Sequence, residues 1–172
     1  MWRAMTNRSG FTLVEILIVV IILGILAAVA IPQFGDSTDA AREATLNASL
    51  AQMRSAIELY YHQHGADYPG EKHHVTGAAT TTTAQADSAF IAQLTLYTSL
   101  PGVAGTTKDA TFKFGPYMKT GLPENPFNGL STVKCDITTT DLSSITSDAT
   151  TGWKFYVLTG RFIANDGAHD SN

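Results

Sequence analysis

The sequence is poor in several things, and each scarcity removes a class of function. It has one cysteine, Cys135, so no disulfide can close within the chain and the paired spacings that bind zinc are absent. That residue reads as a small buried hydrophobe in a strand, with pairing between chains as the alternative for an exported thiol. Basic clusters are missing after Arg8: from Asp36 onward nine basic and fourteen acidic residues give a net charge of −5 before histidine. Phosphate backbones need a clustered positive surface, so no nucleic-acid partner is expected. The chain also has no nucleophile elbow, phosphate loop or ordered metal motif, and it therefore carries none of the usual signatures of an enzyme.

Charge is missing altogether from Ile16 to Gly35, where the sequence runs ILIVVIILGILAAVAIPQFG. Twenty helical residues span about 30 Å, the thickness of a bilayer's hydrocarbon core. The apolar part of a secretory signal is shorter and ends at a small-residue cleavage site, so this run predicts a membrane anchor. Arg3 and Arg8 precede it and Asp36 and Asp39 follow it. The positive-inside rule then places the N-terminus in the cytoplasm and the remainder outside, which in a bacterium means periplasm or cell surface.

Glu15 does not suit an ordinary anchor, because it sits between Phe11–Val14 and Ile16–Val20. A carboxylate at the bilayer centre costs roughly 3 kcal/mol, less near the interface, and asks for a partner. Cleavage between Gly10 and Phe11 would supply one, a new amine four helical residues away, about 6 Å of rise. It could pair with its own Glu15 or with that of a staggered neighbour. The second arrangement hides both charges only in an assembly and gives the assembly a direction.

The segment RSGFTLVEILIVVIILGILAAVAIP resembles the signal and N-terminal helix of type IV pilins and type II secretion pseudopilins. The likeness runs closely from Arg8 to about Gln33. It combines a basic leader, Gly10, Phe11, Thr12-Leu13, a glutamate five residues after the glycine, and Pro32 closing the span. The resemblance implies that a prepilin peptidase cleaves after Gly10 and methylates the amine of Phe11. It also implies that Glu15 meets a neighbouring subunit's N-terminus, and that a cytoplasmic ATPase and a membrane platform protein drive assembly. The competing reading is an uncleaved signal anchor with a tolerated interfacial glutamate. Pro32 removes a helix donor and clashes with the carbonyl four residues earlier, so it marks a flexible point, a tolerated kink in an anchored monomer, and the resemblance implies that this region can lose helicity on assembly.

Beyond the anchor, Leu46, Leu50, Met53, Ile57 and Tyr60 recur at helical spacing, with Arg42, Glu43, Asn47, Arg54 and Glu58 on the other face. The helix is expected from Phe11 to about His64, stopped by Gly65, with His62 and His64 as cations in its last turn. His73 and His74 follow without any spacing that links them to the first pair, and solvated loop histidines are the default. Residues 76 to 86 are low in complexity and read as an exposed connection. Asp87 or Ser88 reads as the cap of a short helix through Phe90, Ile91, Leu94 and Tyr97.

The rest reads as turns and short strands. Residues 132–137 alternate with Val133, Cys135 and Ile137 on one face, and residues 153–158 and 161–164 flank a Thr159-Gly160 turn suited to a hairpin. Residues 115–128 and the closing GWKFYVLTGRFIAND also resemble the C-terminal part of G-type major pseudopilins, through turn prolines, a tryptophan strand and a closing Asn-Asp. Members of that type often hold calcium near the sheet; here Asp141, Asp148, Asp166 and Asp170 offer oxygen ligands, with solvated loop acids as the alternative.

These readings predict an α+β, pilin-like fold. Residues 1–10 form a leader and 11–35 a membrane and assembly helix. Residues 36–172 form a head in which the helix packs on a small antiparallel sheet. The expected function is a structural filament subunit that assembles with copies of itself or related subunits and needs no resident cofactor. The alternative is a minor pilin whose head binds a ligand or surface.

Overall fold

The computed structural model describes residues 10–170, and for residues 29–37 it describes the backbone alone. The chain divides between Ala41 and Arg42 into two compact units. Helix α1 (Leu13–Gln63) carries residues of both units. Pro32 falls within its helical backbone span, and its side chain lies outside the described residues.

In the second unit the predicted helical stripe is the core: Leu46, Leu50, Met53, Ile57 and Tyr60 are each at most 1 % exposed. Arg54, expected on the polar face, turns to the sheet and donates from Nε (3.2 Å) and Nη2 (2.9 Å) to the Phe162 carbonyl. Gly65 does stop the helix, at φ +70. The Ala66 N–H then closes the end by donating to the Tyr61 carbonyl at 3.1 Å. His64 is not the exposed cation expected from its place in the last turn, because it is buried and stacked on Tyr60 with ring centroids 3.8 Å apart.

Helix α2 (Thr83–Thr95) starts four residues before the predicted cap. Thr82 Oγ1 accepts the Gln85 N–H at 3.3 Å, and Gln85 Oε1 accepts from Thr81 N (3.0 Å) and Oγ1 (3.1 Å). The threonine tract read as a loose connection is thus a helix start, with a Thr-x-x-Gln cap followed by good helix formers at Ala84 and Ala86. Asp87 is left inside the helix. There its carboxylate accepts the Cys135 N–H at 2.6 Å and ties α2 to the sheet.

Strands β1 (Tyr97–Thr98) and β2 (Ala104–Gly105) form a small antiparallel pair. The main sheet holds β3 (Val133–Asp136), β4 (Trp153–Tyr156) and β5 (Arg161–Ala164) in the order β3-β4-β5. The β4–β5 hairpin is antiparallel as expected, with Trp153 opposite Ala164. The sheet as a whole is mixed, because β3 runs parallel to β4 with Val133 opposite Trp153. Alternation along a strand sets its faces but not the direction of its neighbour. The sixteen residues between β3 and β4 are enough for the crossover that parallel pairing requires.

That crossover, which holds a 3-10 turn at Leu142–Ser144, covers the outer face of the sheet. Lys154 Nζ donates to the Thr146 carbonyl at 2.9 Å and Tyr156 Oη donates to the same oxygen at 2.7 Å. All four β4 residues are buried in consequence. On the inner face Trp153, Phe155 and Phe162 pack with Phe90 and the α1 stripe. Trp153 Nε1 is satisfied by the Pro123 carbonyl at 2.7 Å. Cys135 is buried and free, and burial, with Asp87 beside it, pushes its thiol well up, as the small-hydrophobe reading expects.

The chain end is held by side-chain amides. Asn165 Oδ1 accepts from Ser147 Oγ (2.9 Å) and Asp148 N (2.7 Å). Its Nδ2 donates to Asp148 Oδ1 and Thr151 Oγ1, each at 2.8 Å. Asn125 Nδ2 reaches both the Gly152 carbonyl (2.9 Å) and Asp166 (3.2 Å).

Acid is expected to weaken the head in two stages. His64 Nδ1 lies 2.9 Å from the Tyr60 carbonyl, which can only accept, so Nδ1 donates and Nε2 accepts from Thr98 Oγ1 at 2.9 Å. The neutral ring is therefore satisfied, and burial lowers its pKa despite the raising influence of the Tyr60 carbonyl and Asp67. His74 is lowered too, by burial and by His73. The unfolded chain takes up these protons first, so this stability is complete above about pH 6.5 and declines as pH falls toward the folded values. Burial raises Asp148, but hydrogen bonds from Lys134, Thr150 and Asn165 outweigh it and hold the carboxyl well below the usual range. Its contribution persists above about pH 4 and is lost below that. Urea unfolding from pH 8 to 3 should show both declines. A His64→Gln chain should lose much of the upper one, and an unchanged upper limb would refute its assignment to His64.

Candidate functional site

Of the predicted processing and assembly residues, Gly10, Phe11 and Glu15 lie together at the start of α1, and Pro32 lies farther along it. Gly10 is exposed, Phe11 is 75 % exposed, and Thr12 stands immediately before the first helical residue. Glu15 lies in the first turn. Its N–H donates to Thr12 Oγ1 at 3.3 Å, while its Oε2 accepts from Thr12 N (3.4 Å) and Thr12 Oγ1 (3.5 Å). This is a reciprocal cap, in which a threonine and a glutamate three residues later satisfy each other's backbone donors. The carboxylate therefore folds back toward the residue that would become the N-terminus, where the helix dipole also favours a negative charge. The Thr-x-x-Glu spacing announces this arrangement in the sequence. Glu15 is thus a helix cap as well as a charge that asks for a cation.

Around that carboxylate the helix is apolar on every side. Leu13, Val14, all residues from Ile16 to Leu23, Ile25 and Leu26 are exposed. A helix that is apolar all round asks to be surrounded, by lipid or by other helices. A shallow groove of about 480 Å³ runs along Phe11, Leu13, Ile16, Leu17 and Val20 beside Thr12. Among the described residues no helix is long and apolar enough to cross a membrane. Before residue 29, α1 offers sixteen fully described residues, about 24 Å and short of the roughly 20 residues a span needs. The remainder of the expected 11–35 span, with Pro32, lies where side chains are outside the described residues, as do Arg3 and Arg8.

The other sequence candidates are dispersed. His62 is exposed and lies 3.9 Å from Glu58, His64 is buried against Thr98, and His73 and His74 stack on each other with centroids 5.0 Å apart. The four aspartates are engaged in the crossover and chain end. Asp141 caps the 3-10 turn and Asp148 meets Lys134 at 2.7 Å. Asp166 meets His169 at 3.0 Å and Asp170 accepts the Ser147 N–H at 3.2 Å. Among the described residues no three His, Cys, Asp or Glu side chains are grouped to hold a metal ion.

Comparison with known families singles out the same N-terminal region. The prokaryotic N-terminal methylation motif matches residues 5–31. A type IV narrow pilus major component, PilA5 of Thermus thermophilus, is 53 % identical over 53 residues, 31 % of this chain and 46 % of that protein. A fimbrial protein of Neisseria meningitidis is 36 % identical over 86 residues, half of this chain and 48 % of that protein. The type II secretion system core protein G of Pseudomonas aeruginosa is 42 % identical over 54 residues, 31 % of this chain and 38 % of that protein. The chain thus spans less than half the length of these curated relatives. No solved structure matches it. Over part of its length the chain is thus similar to type IV pilins and to a type II secretion system core protein, and its residues 5–31 carry the methylation motif.

Proposed function

We propose that this chain is a structural subunit of a type II secretion pseudopilus or type IV pilus-like filament, and not an enzyme. A prepilin peptidase removes residues 1–10 and methylates Phe11. The apolar helix holds the subunit in the inner membrane, N-terminus in the cytoplasm and head outside. A membrane platform and a cytoplasmic ATPase then move it into a filament of its own copies or related subunits. The observation that carries this reading is a helix apolar on all sides with one carboxylate at its start, inside the matched methylation motif. Neighbouring apolar helices replace lipid as the surroundings of α1, so little of its hydrophobic burial is forfeited on leaving the membrane.

In the mature subunit the Phe11 amine is the cation that Glu15 lacks. Thr12 holds the carboxylate at the depth where that amine lies, and a neighbour displaced along the filament presents its own amine at the same level.

Intact mass of the membrane-extracted protein tests the processing steps. The expected species begins at Phe11 and is one methylene heavier than its composition. Gly10→Val is expected to leave the leader attached, because the branched side chain replaces the bare backbone at the cleavage point. Protein that retains Met1 in its native membrane would defeat the proposal.

A further inference from the structure

The head carries an apolar knob and an apolar groove that its own fold does not use. Leu142 is 67 % exposed, more than any other large apolar side chain described beyond residue 41. It opens the 3-10 turn directly after Asp141. That aspartate is held in place, with one carboxylate oxygen accepting the Ser143 N–H at 2.9 Å and the other accepting Ser143 Oγ at 2.7 Å. A greasy side chain and an oriented negative charge thus project side by side from the crossover.

The groove lies at the end of α1 and in the loops after β1. Two shallow depressions, of about 360 and 320 Å³, share Lys113 and Phe114. Leu59 and Tyr117 line the first, and Leu100 and Pro101 line the second. Leu59 and Leu100 are themselves half or more exposed. Lys113 is exposed and enters no ion pair among the described residues. Its segment is the positive part of an acidic head: residues 105–121 hold three lysines and one acid, whereas residues 122–172 hold three basic side chains and six acids.

We propose that the groove beside Lys113 receives the Asp141–Leu142 turn of a second copy of this chain. Leu142 enters between Leu59 and Phe114, and the Asp141 carboxylate meets the Lys113 ammonium at the rim. Charge complementarity selects the occupant, because the Lys113 groove and the Asp141 knob belong to the same sequence and neither side chain enters an ion pair among the described residues. Knob and groove share no residue, so the contact is heterologous. Each subunit offers its knob to one neighbour and its groove to another, and in an open helical assembly such contacts propagate along the filament. The inference rests on the filament reading and adds to it a head-to-head contact that sets which neighbour is engaged.

Disulfide trapping in full-length chains tests it. With Cys135 buried, a Thr111→Cys, Ser144→Cys double variant, which flanks groove and knob and keeps Lys113, Asp141 and Leu142, assembled into filaments and treated with a mild oxidant should give a reducible ladder of trimers and longer species. Either single variant should give none. Lys113→Glu should lower filament yield about tenfold, since like charges then face each other, and adding Asp141→Lys should restore it. Normal filaments without a ladder, or a ladder that stops at dimers, would overturn the head contact while leaving the filament reading intact. A parent chain that forms no filaments and keeps Met1 would overturn both.

Discussion

Glu15→Ala should leave the chain in the membrane fraction and reduce assembled filaments roughly hundredfold, the cost of leaving one partner of a buried ion pair uncompensated. Insertion should not suffer, because the change deletes the only charge in an otherwise apolar stretch. Assembly should, because each incoming subunit brings a Phe11 amine into a packed bundle that no longer holds its counter-ion. Glu15 also caps the helix through Thr12, so the alanine variant removes two things at once. Glu15→Gln separates them: the amide oxygen can still accept from Thr12 but carries no charge. If pairing governs assembly, both variants fail alike; if the cap governs it, the glutamine variant assembles. Filament yield in the sheared fraction, set against membrane-bound subunit, reads the difference. Normal filaments from both would refute the charge pair.

The local arrangement of Gly10, Phe11 and Glu15 was legible in the sequence because these residues are neighbours in the chain. Glycine, the following phenylalanine and the glutamate all fall within one helical turn or its approach, and no tertiary contact is needed to bring them together. The α1 stripe was legible for the same local reason, since 3.6-residue periodicity alone places Leu46 through Tyr60 on one face. The misreadings concern choices that local pattern leaves open. Residues 80–88 offer several capping side chains, and packing of Ala86, Ala89 and Phe90 in the core selects Thr82 over Asp87. Polar alternation in 132–137 shows which side chains face inward, yet the direction of β4 beside it depends on how the crossover returns. His64 looked like a helix-end cation, and only the arrival of Thr98 and Phe114 from distant segments turned it into a buried neutral ring. Asn165 and Asp166 were noticed as a closing pair, but their hydrogen-bond partners lie in loops that sequence cannot align with them.

That closing pair carries the second large effect. Asn165→Ala is expected to destabilise the head by about 3 kcal/mol, from loss of buried hydrogen bonds and unsatisfied partners, which lowers its melting temperature by about 10 °C at this domain size. Asn165 is fully buried and its amide makes four bonds, binding the residue after β5 to Ser147, Asp148 and Thr151. Removing it takes the acceptor from Ser147 Oγ and the Asp148 N–H at once and the donor from Asp148 Oδ1 and Thr151 Oγ1. With one cysteine the chain has no covalent closure for this end, so the amide does by hydrogen bonding what a disulfide would do by linkage. The two devices differ in how they fail: a disulfide yields to reductant, whereas this network yields to acid, through the depressed carboxyl of Asp148. Thermal unfolding of the detergent-extracted full chain, followed by tryptophan fluorescence, should therefore be unchanged by reductant. It should shift down on acidification below about pH 4, and the shift should be smaller in Asn165→Ala, where part of the network is already gone. A variant that melts with the parent, at neutral pH and in acid, would show that the chain end is held by other contacts.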